Sequence, residues 1–175
     1  MTVPVTLINK VNTFTPLDYD KLYKELNNYG VTLDEDPTSV GLSSLNQKIA
    51  NIDSQKTRIG GILTSAYRNE DVITLVMNDI SRTLEKEKSA LVKDEEIVKL
   101  SNQSLRDAAV NRKLSELLDL KGEVEGFYLQ ARTFTKVVQH VFNMLDSTNK
   151  NISRQLTTIQ TMISLNEIAR TDDFK

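Results

Sequence analysis

Histidine occurs once, at His140, and cysteine not at all. A lone imidazole without a second histidine or a thiolate makes neither a metal site nor a nucleophile–base pair, so His140 reads as a surface or interface residue. The carboxylates Asp94, Glu95 and Glu96 are adjacent. They suit the positive end of a helix, with Asp94 as its cap. Neither G-x-x-x-x-G-K-[ST] nor G-x-G-x-x-G occurs, and no serine sits in G-x-S-x-G. These residues point to a chain that is not an enzyme and takes no cofactor, metal or small-molecule substrate.

Basic residues near aromatics remain. Arg68 follows Tyr67, while Arg132 and Lys136 lie among Phe127, Tyr128 and Phe134. Lys56 and Arg58 precede the pair Gly60-Gly61, and Lys150 and Arg154 fall in the same half of the hairpin derived below. Single-strand nucleic-acid binders combine a cationic track with aromatic stacking platforms. A solvated coiled-coil face carries the same residue types, so the pattern leaves both readings open.

Long helices must position these groups. All three prolines, Pro4, Pro16 and Pro37, stand in the first 37 residues, and the rest of the chain lacks the strongest helix breaker. From Leu42 through Leu45, Ile49, Ile52, Lys56, Ile59, Leu63, Ala66, Glu70, Ile73, Met77, Ile80, Leu84 and Glu87 to Leu91, spacings alternate three and four. That is a heptad seam, in a helix roughly 75 Å long at about 1.5 Å per residue. A second seam comprises Val110, Leu114, Leu117, Lys121, Val124, Tyr128, Ala131, Thr135, Val138, Phe142, Leu145, Asn149, Ile152, Leu156, Ile159 and Ile163. Two seams of nearly equal length joined by residues 92–109 predict an all-α fold, a long antiparallel helical hairpin over 42–170 with its tip at 92–109. Paired residue numbers should then sum to about 201.

That register puts Gly60-Gly61 near Val141 and Phe142. Two glycines in a helix interior cost about 2 kcal/mol, so they are expected to make room for Phe142 or a close crossing, or to mark a flexible point. Asn149 in the seam suggests a register-setting residue. Lys56, Glu70, Glu87 and Lys121 either pair across the hairpin or reach out to water.

The head, residues 1–41, reads as an extended arm at 2–8 and one short helix. The arm is β-branched and contains Pro4, which suits an edge strand or strand addition to a neighbour. The helix takes Thr15 as cap, Pro16 at N1 and Asp18 at N3. Its stripe is Leu22, Tyr23, Leu26 and Tyr29, and Gly30 stops it. Residues 31–41 read as a loop holding Asp34, Glu35 and Asp36, and 171–175 as a tail. Ile62, Val72, Val76, Phe127, Leu129, Val137, Val141, Met144 and Leu165 lie off the seams. This second stripe asks for the head helix, a second copy, or both.

Net charge is −2 and the pI about 5.5, acidic for a duplex-DNA binder. The charge is uneven: residues 1–42 carry 3 basic and 6 acidic side chains, residues 43–93 carry 8 and 6, and residues 110–163 carry 7 and 5. No run approaches 18 apolar residues and no secretory signal is evident, so no membrane partner is expected.

Val110–Ala169 resembles the phage recombination-mediator (UvsY-like) family. The similarity runs through Arg112-Lys113-Leu114, Phe127-Tyr128-Leu129, Asn143-Met144-Leu145-Asp146, Asn149-Lys150-Asn151-Ile152-Ser153-Arg154 and Ile159-Gln160-Thr161-Met162-Ile163. Gln55-Lys56-Thr57-Arg58 through Ala66-Tyr67 is similar to that family's first long helix. The resemblance implies a homo-oligomer that binds single-stranded DNA and loads a recombinase. Lys56, Arg58, Arg68, Lys150 and Arg154 would contact phosphates, in the host-cell cytoplasm if the chain is phage-encoded. The acidic pI and the long head depart from that pattern. The alternative is a structural or assembly subunit of a phage virion or similar scaffold, with the arm and the Thr171–Lys175 tail locking neighbours together.

Overall fold

The computed structural model describes residues 3–12, 17–33 and 41–172, with side chains in the last segment through Asn166. These residues are all-α, without a strand among them. The elements are α1 (Val5–Asn12), α2 (Tyr19–Leu26), α3 (Leu42–Leu91), α4 (Glu95–Val98), α5 (Gln103–Lys113) and α6 (Ser115–Asp172).

The extended arm expected at 2–8 is not found, because Val5 already begins a helix. Pro4 opens it, its carbonyl accepting from the N–H of Leu7 at 2.9 Å and of Ile8 at 3.2 Å. β-branched residues disfavour helix only weakly, and burial overrides them. Leu7 and Val11, one helical turn apart, are the buried pair. No strand edge is therefore offered at residues 5–12. In α2, Asp18 is the cap rather than the third helical residue, its carboxylate accepting from the Lys21 N–H at 3.0 Å. Thr15 and Pro16 lie outside the described residues, as do Asp34, Glu35, Asp36, Pro37 and Asp173–Lys175. Leu26 is buried and Leu22, Tyr23 and Tyr29 are half-buried, so the expected stripe faces inward. Gly30 follows at φ +157°, a backbone conformation that L side chains rarely adopt and glycine tolerates.

Helices α3 and α6 pack against each other as the hairpin. Every seam position of α3 is buried or half-buried, and so is every second-seam position except Ile163. Lys56 meets Asp146 and Asp53 meets Asn149, one residue from the predicted register. A third heptad row is also covered: Val76 is 6% exposed and Phe134 is 0%. The buried face is thus wider than a two-stranded seam, as expected where a further helix packs.

Two compact units divide the chain, one holding α1 with residues 66–135, the other α2 with residues 42–65 and 136–172. In the first, Lys10 of α1 pairs with Asp79 of α3. In the second, Gly30 N–H donates to Gln55 Oε1 at 3.0 Å, Lys48 Nζ donates to the Thr32 carbonyl at 3.1 Å, and Arg58 approaches Glu25 of α2 at 3.9 Å. Each unit therefore ties one short head helix to α3.

The tip folds as two short helices. Asp94 caps α4 as expected, accepting from the Glu96 N–H, and Asn102 caps α5 by accepting from Leu105 at 2.8 Å. Ile97, Val110 and Leu114 form a small core with Leu84, Leu91 and Ala109. Lys113 bridges Asp94 at 2.8 Å and Glu96 at 3.5 Å, and its hydrogen bond holds the Asp94 carboxyl below the usual range. The second seam is interrupted at Leu114, between α5 and α6, without loss of burial. Helix α6 continues through Thr171 and Asp172, where a tail was expected.

Gly60 and Gly61 do not make room for Phe142 or a close crossing. A Cβ built on either meets nothing within 4 Å.

Candidate nucleic-acid interface

Heptad placement decides what each candidate cation can do. Lys56 occupies a seam position, so its ammonium must find a partner at the hairpin boundary. It finds Asp146 Oδ1 at 2.6 Å, with its Nζ 5.7 Å from the centre of the Phe142 ring. Its side chain is only 22% exposed. Lys150 lies one turn beyond Asp146 and bonds the other oxygen, Oδ2, at 2.7 Å. The two ammonium groups, Lys150 first, hold the Asp146 carboxyl down to about 2. Lys56 and Lys150 are thus brought together on a single carboxylate, leaving one net positive charge at this node.

Asn149 stands beside the node, its Nδ2 donating to Asp53 Oδ1 at 2.9 Å. Its own Oδ1 is buried without a hydrogen-bond partner. Arg58 points to α2, where Glu25 also accepts from the Tyr29 hydroxyl at 3.0 Å. Burial and this carboxylate raise the Tyr29 phenol above its ordinary value.

Arg154 is exposed, one turn beyond Lys150 on α6, and meets no carboxylate among the described residues. Arg68 is likewise exposed without such a partner, and it belongs to the other compact unit. Of the five predicted phosphate contacts, Lys56, Lys150 and Arg154 share one stretch of the second unit. Arg58 is drawn to α2.

The aromatic platforms fare unevenly. Phe134 is fully buried, so it cannot stack on a base. Phe127 and Tyr128 are half-buried, and Arg132 lies 5.9 Å from the Tyr128 ring centre. Tyr67 is 47% exposed beside Arg68. His140 is exposed, and no group of three metal-ligating side chains forms among the described residues. None of the described helices is long and apolar enough to cross a membrane.

Sequence reasoning missed Asp146 as the acceptor at the centre of this stretch. Two signals could have found it. Lys150 follows at i+4, the spacing of a helical ion pair, and Lys56 lies opposite it in the expected register. Comparison with known proteins gives no match: no family model, curated protein or solved structure matches this chain.

Proposed function

We propose that the chain is a non-catalytic, oligomeric helical protein of the recombination-mediator type, which binds single-stranded DNA and serves a recombinase. The observation that carries this reading is the Lys56–Asp146–Lys150 node with Arg154 one turn further on. Three cations share the surface of one hairpin segment, and Arg154 is unopposed. One protomer offers few phosphate contacts, and an oligomer multiplies them by effective concentration. Tyr67 with Arg68 adds an exposed ring beside an unopposed cation.

The test is fluorescence anisotropy of a labelled single strand of about 40 nucleotides, long enough for several sites. The expected result is binding that weakens with salt, with a slope of about 0.7 per phosphate contact for single strands. Arg154→Ala should lower that slope by about one contact's worth. A strand that stays unbound at low salt overturns the reading.

A second reading, a structural or assembly subunit, is favoured by a different observation. Ile163, alone among the described seam residues, is exposed on an uncharged stretch of α6. Assembly in the absence of nucleic acid, with no strand binding, would support it.

A further inference from the structure

The stretch Gly60-Gly61-Ile62-Leu63-Thr64-Ser65 combines three features that weaken one turn of α3. The first lies in the backbone. Glycine loses more conformational freedom in a helix than any other residue. A Cβ at Gly60 or Gly61 would meet nothing within 4 Å, so packing does not require the pair. The second lies in the hydrogen bonds. Thr64 Oγ1 donates to the Gly60 carbonyl at 2.9 Å, and Ser65 Oγ to the Gly61 carbonyl at 3.1 Å. Those carbonyls also serve the i to i−4 ladder of the helix, and a hydroxyl that shares one destabilises and bends the helix slightly. Other threonines and serines of the long helices bond in the same way, but among the described residues only these two bonds fall on glycine.

The third lies in the seam. Ile52, Ile59, Ile73 and Ile80 are all fully buried. Between Ile59 and Ile73 the seam holds Leu63, which is only half-buried, then Ala66, whose side chain is one methyl group, then Glu70. Ser65 is also the last α3 residue of one compact unit, and Ala66 the first of the other. No other turn combines these features. Gly122 and Gly126 of α6 meet open space too, but they stand a turn apart. They are followed four residues on by Gly126 and Gln130, which carry no hydroxyl. In the register of Lys56 with Asp146 and Asp53 with Asn149, the weak turn lies level with residues 136–142 of α6. That stretch contains no glycine, serine or threonine.

We propose that Gly60–Ser65 is a hinge in α3: the turn opens and bends locally while α6 passes the same level as continuous helix. Opening it releases Leu63 and leaves Ile59 and Ile73 in their buried places. Segments with few buried apolar contacts and exposed backbone hydrogen bonds open at a free energy far below that of global unfolding. Sharp helix bends likewise fall at glycine and serine pairs. The hinge lets one long helix yield without breaking the seam on either side of it. It does not depend on the nucleic-acid reading, because it concerns the helix itself whatever the chain binds.

The test is hydrogen–deuterium exchange of the full chain at neutral pH, read by mass spectrometry on overlapping peptides and expressed as protection relative to the intrinsic rate. Amides of residues 60–66 should be protected at least about tenfold less than those of 49–56 and 73–80 on α3 and of 136–142 on α6. Gly60→Ala/Gly61→Ala should raise protection in the turn by about 10- to 30-fold, the helix-propensity difference of two glycines expressed as an equilibrium constant. The open space around both positions lets that variant fold normally. Gly122→Ala, on α6, should leave the low protection of residues 60–66 in place. A turn as protected as its neighbours on α3 overturns the proposal. So does low protection that the double alanine variant leaves unchanged, because the glycines would then not be its cause. Equally low protection over residues 136–142 would mean that both helices open together at this level, and overturns it as well.

Discussion

Phe134→Ala tests whether the buried face is three heptad rows wide or two. Phe134 lies off the seam yet has no exposed surface. Removing a fully buried phenyl ring loses its transfer free energy and leaves a cavity, together about 3–5 kcal/mol. For a chain of this size each kcal/mol shifts the midpoint by about 2–4 °C, so Tm should fall by roughly 6–20 °C. Far-UV circular dichroism during heating measures the shift, and urea unfolding should show a lower midpoint at unchanged slope. Leu129→Ala is the internal control. Leu129 is also apolar and off the seam, but it is 62% exposed, so the change should stay within about 0.5 kcal/mol. Equal melting of the two variants would refute the three-row face.

Ile152→Asp puts a carboxylate where a side chain is 1% exposed, and a buried unpaired charge of this kind should remove most of the cooperative helical transition; a variant with wild-type helicity and Tm would refute the seam. Asp146 supplies a pH test. Its carboxyl is held down to about 2 from an ordinary value of 3.8, so the folded form is favoured in full above about 3.8, and that contribution disappears as pH falls from there through 2. Asp79 and Asp94 are lowered as well, by Lys10 and Lys113. The wild-type Tm should therefore drop through this window, and Asp146→Asn, with no carboxyl to protonate, should drop less. Parallel Tm–pH curves would remove the two lysine bonds from the account.

The hairpin was legible because its signal is periodic and long. Alternating three and four spacings place residues on one face whatever the local propensity, and the register followed from two seams of similar length. The head was less legible because its elements are short. Val5, Thr6 and Ile8 favour strands, and only burial of Leu7 and Val11 in the folded chain overrides them. Phe134 was misread for a related reason. Beside Lys136 it resembles a stacking platform, and nothing local distinguishes an exposed ring from one under a third row of contacts. The pair Gly60-Gly61 suggests either a tight packing site or a flexible point, and only the first is excluded by the structure. Open space around both positions shows that a missing Cβ need not mark close approach.

The Lys56–Asp146 contact bears on both register and ligand binding. A lysine in an apolar seam is tolerated only where its ammonium reaches a partner or water, and Lys56 reaches a carboxylate on the opposite helix. Sliding α3 by one heptad against α6 would leave the apolar rows matched but strand this lysine, so the ion pair discriminates between registers that packing alone leaves nearly equal. Asn149 and Asp53, one turn away, add a second polar match in the same register. The same carboxylate reduces the charge Lys56 and Lys150 can offer to an anionic ligand. Phosphate binding at this surface must therefore draw on Arg154 and on repetition across copies, so self-association and binding of a single strand should be measured on the same preparation.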